Sequence, residues 1–205
     1  MIKSLKQKNK KNACPAKLQR SRGFTLVETL VAISIFSMSI VALMSVLGSG
    51  ISNTNYAKTK IIASYLAQEG IEYIRNMRDT YVLYTNINPS LTWNSFKSTL
   101  EPTPLSPTLC MKANGCFFNA DSFPTITFTA CSSATCSNGP LFYDYSTGKY
   151  NNSSLDKNSG FTRIIKMNTT GLGPNEVKIS STVSWTQGSG NYNITFSENL
   201  FNWTQ

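Results

Sequence analysis

The chain has 205 residues, 19 Lys and Arg, 10 Asp and Glu, and no His, for a formal charge of +9. That length suits one ordinary domain with an appendage, and 40% hydrophobic against 14% charged residues excludes a disordered polyelectrolyte. The lack of His removes His-based triads, imidazole metal sites and a histidine pH switch.

The charge is unevenly placed. Lys3, Lys6, Lys8, Lys10, Lys11, Lys17, Arg20 and Arg22 fall in residues 1–22, which hold no acid. Removing those eight from the 19 leaves 11 basic against 10 acidic groups, a net of +1. The positive excess belongs to an N-terminal arm, and no basic patch of the kind that marks a nucleic-acid-binding domain is evident in the body.

Residues 24–47, FTLVETLVAISIFSMSIVALMSVL, come next. As a helix at ~1.5 Å per residue this run spans a bilayer core of about 30 Å. Its Ser and Thr side chains can bond back to helix carbonyls. The basic flank predicts a cytoplasmic N-terminus and an outward path for the chain beyond about residue 52. Glu28 interrupts the apolar run. A carboxylate costs about 2.5–3.5 kcal/mol at mid-bilayer and less near the interface. It either stays hydrated near the headgroups or awaits a cationic partner, and the second reading is preferred because acids in membrane segments mark function. A cleaved signal peptide fits less well: the apolar run is long and no small-x-small site bounds it. Cys14, with no apolar stretch before it, reads as an unpaired cytosolic thiol rather than an acylation site.

Arg22-Gly23-Phe24-Thr25-Leu26-Val27-Glu28 resembles the cleavage and methylation motif of type IV prepilins and pseudopilins. A basic leader ends in Gly, an apolar aromatic residue follows, Glu stands four positions on, and an apolar helix continues. The resemblance covers residues 17–52 most closely. It extends more weakly through Leu66-Ala67-Gln68-Glu69-Gly70-Ile71-Glu72, a segment similar to those of PilV-like minor pilins. It implies that a prepilin peptidase/methyltransferase cuts between Gly23 and Phe24 and N-methylates Phe24, and that Glu28 matters for assembly. It further implies an inner-membrane assembly platform and other pilin or pseudopilin subunits as partners, with membrane lipid as the surroundings before assembly. The implied location is the bacterial cytoplasmic membrane as a single-pass precursor, then an extracellular or periplasmic filament. Cutting before Phe24 creates a new ammonium at the start of an apolar helix. A neighbour's ammonium can neutralise Glu28 where the helices bundle in a low-dielectric core, since each charge is expensive unpaired. Unlike many major pilins, the apolar segment has no Pro; Gly48 and Gly50 are the points where the helix is expected to bend or melt.

From Ser52 to Asp79 the pattern turns amphipathic. Ile62, Leu66, Gly70, Tyr73 and Met77 recur at three- and four-residue steps, joined by Tyr65 and Ile74, with Lys58, Lys60, Gln68, Glu72, Arg75 and Arg78 as the polar face. Helical character is expected to stop there. Residues 86–124 hold five Pro among Ser, Thr and Asn, and read as a long variable connection. Strands are predicted at 125–130, 141–145, 161–167, 177–186 and 191–200, with a hairpin turn at Gln187-Gly188-Ser189-Gly190. The predicted fold is α+β: a long N-terminal helix packed on an antiparallel β-sheet head, pilin-like in the light of the resemblance. Its parts are a leader (1–23), a transmembrane and assembly helix (24–51), a stem helix (52–80) and a head (81–205).

Cys110, Cys116, Cys131 and Cys136 lie in the head, outward of the membrane, where two disulfides are expected. Of three connectivities, Cys110–Cys116 with Cys131–Cys136 is favoured because each closes a short polar loop; a four-thiolate zinc site is the alternative. Trp185, Phe196, Phe201 and Trp203 are either core residues or an aromatic binding surface, and core is preferred. No catalytic constellation assembles: Glu101, Asp121, Asp144, Asp156, Glu176 and Glu198 are scattered, and neither a phosphate loop nor a nucleophile–base pair is present. The chain therefore reads as a structural filament subunit, not an enzyme, and no cofactor is expected. The alternatives are a filament-tip adhesin or DNA-binding module, with nucleic acid disfavoured by the near-neutral body, and a non-polymerising, single-pass anchored ectodomain.

Overall fold

The computed structural model describes residues 23–84, 89–100, 109–119 and 127–202. Residues 1–22, with Cys14 and all of the predicted leader but Gly23, and Glu101, Asp121 and Trp203 lie outside the described residues. By contact density the chain divides into two compact units between Gly50 and Ile51.

The first unit holds the N-terminal part of α1 (Leu26–Tyr84). Its large apolar side chains, from Phe24 to Leu47, are exposed. Helical structure runs through Gly48 and Gly50, so the chain does not melt there, and no Pro lies within α1.

In the second unit α1 buries one face. Ala63, Leu66, Ala67, Ile71, Ile74 and Met77 recur at helical steps and are all buried. Tyr65, expected beside that stripe, is 67% exposed instead, because it falls on the opposite side of the helix from Ala63 and Ala67. The helix also continues beyond Asp79 to Tyr84.

The predicted variable connection contains α2 (Pro89–Leu100). The helix opens on proline, whose missing N–H is no loss in a first turn. Trp93, Phe96 and Leu100, three and four residues apart, point into the core, and the Trp93 indole N–H donates to the Pro174 carbonyl at 2.9 Å. Seven strands follow: β1 (Cys116–Phe118), β2 (Phe128–Ala130), β3 (Pro140–Asp144), β4 (Lys149–Asn151), β5 (Lys157–Asn168), β6 (Glu176–Gln187) and β7 (Gly190–Phe201). β1 and β4 were not expected from the sequence, each being three residues long.

All pairings are antiparallel. β5 is the hub. It pairs along its length with β6, and on its other edge with β3 and, further on, β1. β6 pairs with β7 through a hairpin in which Gln187 opposes Gly190, leaving Gly188 and Ser189 as the turn. Alternation sends Phe161, Ile165, Met167, Val177, Ile179, Val183 and Trp185 to the buried face, where they join the α1 and α2 side chains in two clusters. The fold is thus the α+β architecture read from the sequence, a long N-terminal helix followed by an antiparallel sheet.

Candidate processing and assembly site

The first turn of α1 explains itself residue by residue. Thr25 stands just outside the helix, and the Glu28 amide donates to its Oγ1 at 3.3 Å. The Thr29 amide donates to the Thr25 carbonyl at 3.2 Å, the first i→i−4 bond. Thr25 is therefore the N-cap and Glu28 the third helical residue, the Thr-x-x-Glu spacing of a capping box, with the bond from the Glu28 amide in place. Glu28 is also the acid of the first turn, where a negative charge meets the positive end of the helix dipole. This local role was legible in the sequence as Thr25 three residues before Glu28, and the apolar context drew attention away from it.

Beyond that turn, Ser34, Ser37 and Ser39 donate to the carbonyls of Leu30, Ile33 and Ile35 at 2.8 Å each. Their hydroxyls are satisfied inside the helix, so they add little polarity to an apolar exterior. By length and composition α1 is long and apolar enough to cross a membrane. Gly23 and Phe24 precede the helix, and Phe24 is 79% exposed.

A second constellation lies where the stem meets the sheet. Arg163 on β5 is 3% exposed; its Nη1 donates to Glu69 Oε2 at 2.8 Å and to the Leu66 carbonyl at 3.2 Å. The guanidinium also lies 4.6 Å from the centre of the Phe118 ring. Burial pulls the Arg163 pKa down, and Glu69 opposes that shift. The next residue of the helix, Gly70, sits over β5 and β6. A methyl group there would run into Ser181 Oγ, with Arg163 Cδ at 3.1 Å and Ile165 Cδ1 at 3.2 Å. Glu69 and Gly70, in the middle of the segment that resembled minor pilins, thus fasten and admit the sheet.

Cys110 is bonded to Cys116 and Cys131 to Cys136, leaving no thiolate among these four for the zinc alternative. Among the described residues no group of three His, Cys, Asp or Glu side chains is placed to hold a metal. Trp185 is 5% exposed and stacks with Tyr192 at 5.8 Å, and Phe196 packs against both core clusters, so these two belong to the interior. Phe201 is half-exposed at the end of β7. The remaining acids are held separately: Asp144 by Ser146 and Thr147, Asp156 by Asn151, Glu176 by Asn199, and Glu198 by Arg75.

No curated protein and no solved structure matches the chain. Residues 18–48 match the family model described as the prokaryotic N-terminal methylation motif, a span that contains Gly23, Phe24, the Thr25 cap and Glu28.

Proposed function

We propose that the chain is a minor pilin of the PilV-like type or a pseudopilin, a non-enzymatic subunit of a type IV pilus or a secretion filament. A prepilin peptidase/methyltransferase cuts after Gly23 and methylates the Phe24 amine. The helix is then drawn from the lipid by an inner-membrane platform and bundled with those of other subunits. In that bundle Glu28 pairs with a neighbour's Phe24 ammonium.

The observation that carries the reading is the motif match over residues 18–48, coinciding with a helix that begins immediately after the cleavage point. The physics supports the pairing. A new ammonium one residue before the N-cap sits at the positive end of a helix dipole, an unfavourable place unless a carboxylate lies near. Glu28 is in that first turn. Exposed apolar side chains along the first unit have two ways to leave water, lipid before assembly and neighbouring helices after it.

The test is mass spectrometry of the protein recovered from membranes and from sheared filaments. A mature chain starting at methylated Phe24 in the sheared fraction is the expected result. An uncut 22.6 kDa chain that never leaves the membrane fraction would refute it in favour of a plain anchored ectodomain.

A further inference from the structure

We propose that the face of the sheet turned away from α1 carries a binding site for the phosphate backbone of duplex nucleic acid, centred on Lys112, Lys166 and Lys178. The three lysines line a concavity of about 490 Å³ together with Ser180, Thr195 and Ser197.

The lysines converge for legible reasons. Lys166 and Lys178 belong to the face opposite Ile165 and Ile179, since successive side chains alternate. Lys166 opposes Ser180 across the β5–β6 ladder, which makes Lys178 its diagonal neighbour, roughly 7–8 Å away. Lys112 arrives from another part of the chain. Its loop is closed by the Cys110–Cys116 disulfide and pinned to β5 by the Met167 amide, which donates to the Cys110 carbonyl at 3.0 Å. Gly115 lets the loop lie flat. Its φ is +76°, and a Cβ there would stand 2.7 Å from the Ile165 carbonyl oxygen and 2.9 Å from Lys166 Cγ.

No carboxylate lines the concavity among the described residues. Among the described residues, the ion pairs of the second unit join Arg75, Arg78 and Arg163 to Glu72, Glu198, Asp79 and Glu69, none of them to these lysines. Glu176, two residues before Lys178 on the same face, keeps its charge but lies outside the lining, its carboxylate accepting from the Asn199 amide at 2.8 Å. The near-neutral sum of the body therefore conceals an uneven placement: four of its acids pair with arginines, and these three lysines have no ion-pair partner among the described residues, so they are left for an outside anion.

The lining decides which anion. Lys with Ser and Thr hydroxyls and the Asn168 amide is the set of groups that contacts phosphate oxygens. Lys is depleted at the centres of protein interfaces, which argues against an acidic protein. Among the described residues no aromatic ring lines the concavity, so they offer no platform for unstacked bases or sugar rings, and that favours a duplex over a single strand or a glycan.

The test uses the full chain in non-ionic detergent and a labelled duplex DNA of mixed sequence, with binding read by fluorescence anisotropy across salt. Two triple variants are compared, Lys112→Gln/Lys166→Gln/Lys178→Gln and, with equal loss of charge elsewhere, Lys97→Gln/Lys149→Gln/Lys157→Gln. The basic leader contributes the same background to both. Three phosphate contacts correspond to a salt slope of about −2.7, or about 40-fold in affinity between roughly 50 and 200 mM salt. The first variant is expected to lose that portion of the slope and the second to keep it. Equal slopes for the two variants overturn the site. A single strand bound as tightly as the duplex, or a heparin fragment bound more tightly with the same lysine dependence, overturns the duplex assignment. None of these outcomes depends on whether the chain enters filaments.

Discussion

Replacing Gly70 with alanine sets two effects against each other at one atom. A helix-interior Gly→Ala change gains about 1 kcal/mol from backbone entropy. Against it, the new methyl group runs into Ser181 Oγ and crowds Arg163 Cδ and Ile165 Cδ1. Ser181 is fully buried and Arg163 is held by Glu69 and the Leu66 carbonyl, so the site yields poorly. Overpacking of that kind costs about 1–3 kcal/mol, and disturbing a buried ion pair adds to it. The clash wins: Gly70→Ala is expected to destabilise the second unit by about 1–2 kcal/mol, lowering its melting temperature by about 3–6 °C. The partner change has the opposite sign. Ser181 Oγ is buried with no hydrogen-bond partner among the described residues. Ser181→Ala removes an unsatisfied polar atom and is expected to stabilise by about 1 kcal/mol. In the double variant the methyl group occupies the space the hydroxyl vacated, so stability returns to the wild-type level or above, a coupling of about 1–2 kcal/mol between two residues far apart in sequence. The assay is thermal unfolding of the full chain in detergent, followed by near-ultraviolet circular dichroism of the buried Trp93 and Trp185. A Gly70→Ala protein more stable than wild type, or a double variant no better than the Gly70→Ala single, would refute the close helix–sheet approach.

Other consequences are checked more simply. Joint replacement of Cys110 and Cys116 by alanine opens a loop of sequence separation 6; loop-closure entropy puts the loss at about 2 kcal/mol, or a melting temperature about 4–8 °C lower. Asp144 accepts from Thr147 Oγ1, Ser146 Oγ and the Ser146 amide, which holds its pKa at about 2 against an ordinary 3.8. Because the folded value is the lower one, the turn between β3 and β4 has this support above about pH 4 and loses it as pH falls through about 2. Carbon-detected NMR titration of the Asp144 carboxyl is expected to find that midpoint, and Thr147→Val to raise it. Glu69→Gln leaves Arg163 buried without its counter-charge; because Glu69 keeps 37% of its side-chain exposure, the cost is about 2 kcal/mol, below that of a fully enclosed pair.

Long periodic segments were legible before any coordinates. The 59 residues of α1 and the 12-residue strands β5, β6 and β7 carry enough repeats to reveal their periods. α2 was hidden by the prolines around it, although Trp93, Phe96 and Leu100 already stood at helical spacing; composition outweighed period. β1 and β4 are too short to show alternation, and long-range pairing to β5 and β3 holds them as strands. The methylation-motif match over residues 18–48, which contains Gly23, Phe24 and Glu28, was readable because the motif is contiguous. The Glu69–Arg163 pair was not, since its partners are 94 residues apart and Arg163 reads as an ordinary outward charge on an alternating strand. The lysine cluster was obscured for a related reason: a net charge averages over a surface, whereas strand register and one disulfide loop decide which charges become neighbours.

Glu28 has one observed role in the first turn and one proposed for it, and substitution can separate them. As the third helical residue it helps to start the helix; as a carboxylate it is the charge proposed to meet a neighbouring ammonium. Glutamine also serves at the third position of a capping box, so Glu28→Gln removes the charge and costs the helix start only what the charge gains from the helix dipole, about 0.3–1 kcal/mol. Thr25→Val does the reverse. It removes the oxygen that accepts from the Glu28 amide, costing about 1 kcal/mol of helix-start stability, and leaves the carboxylate in place. Amide exchange of Glu28 in micelles is expected to quicken about fivefold in Thr25→Val and to change little in Glu28→Gln. Filament incorporation, measured in sheared fractions, is expected to fall sharply in Glu28→Gln and only modestly in Thr25→Val. If both variants were excluded to the same extent, the helix start rather than an intersubunit charge would govern assembly. If Glu28→Gln assembled normally, no ammonium–carboxylate pair would be needed to bring these helices together, and dispersion between their exposed apolar side chains would suffice.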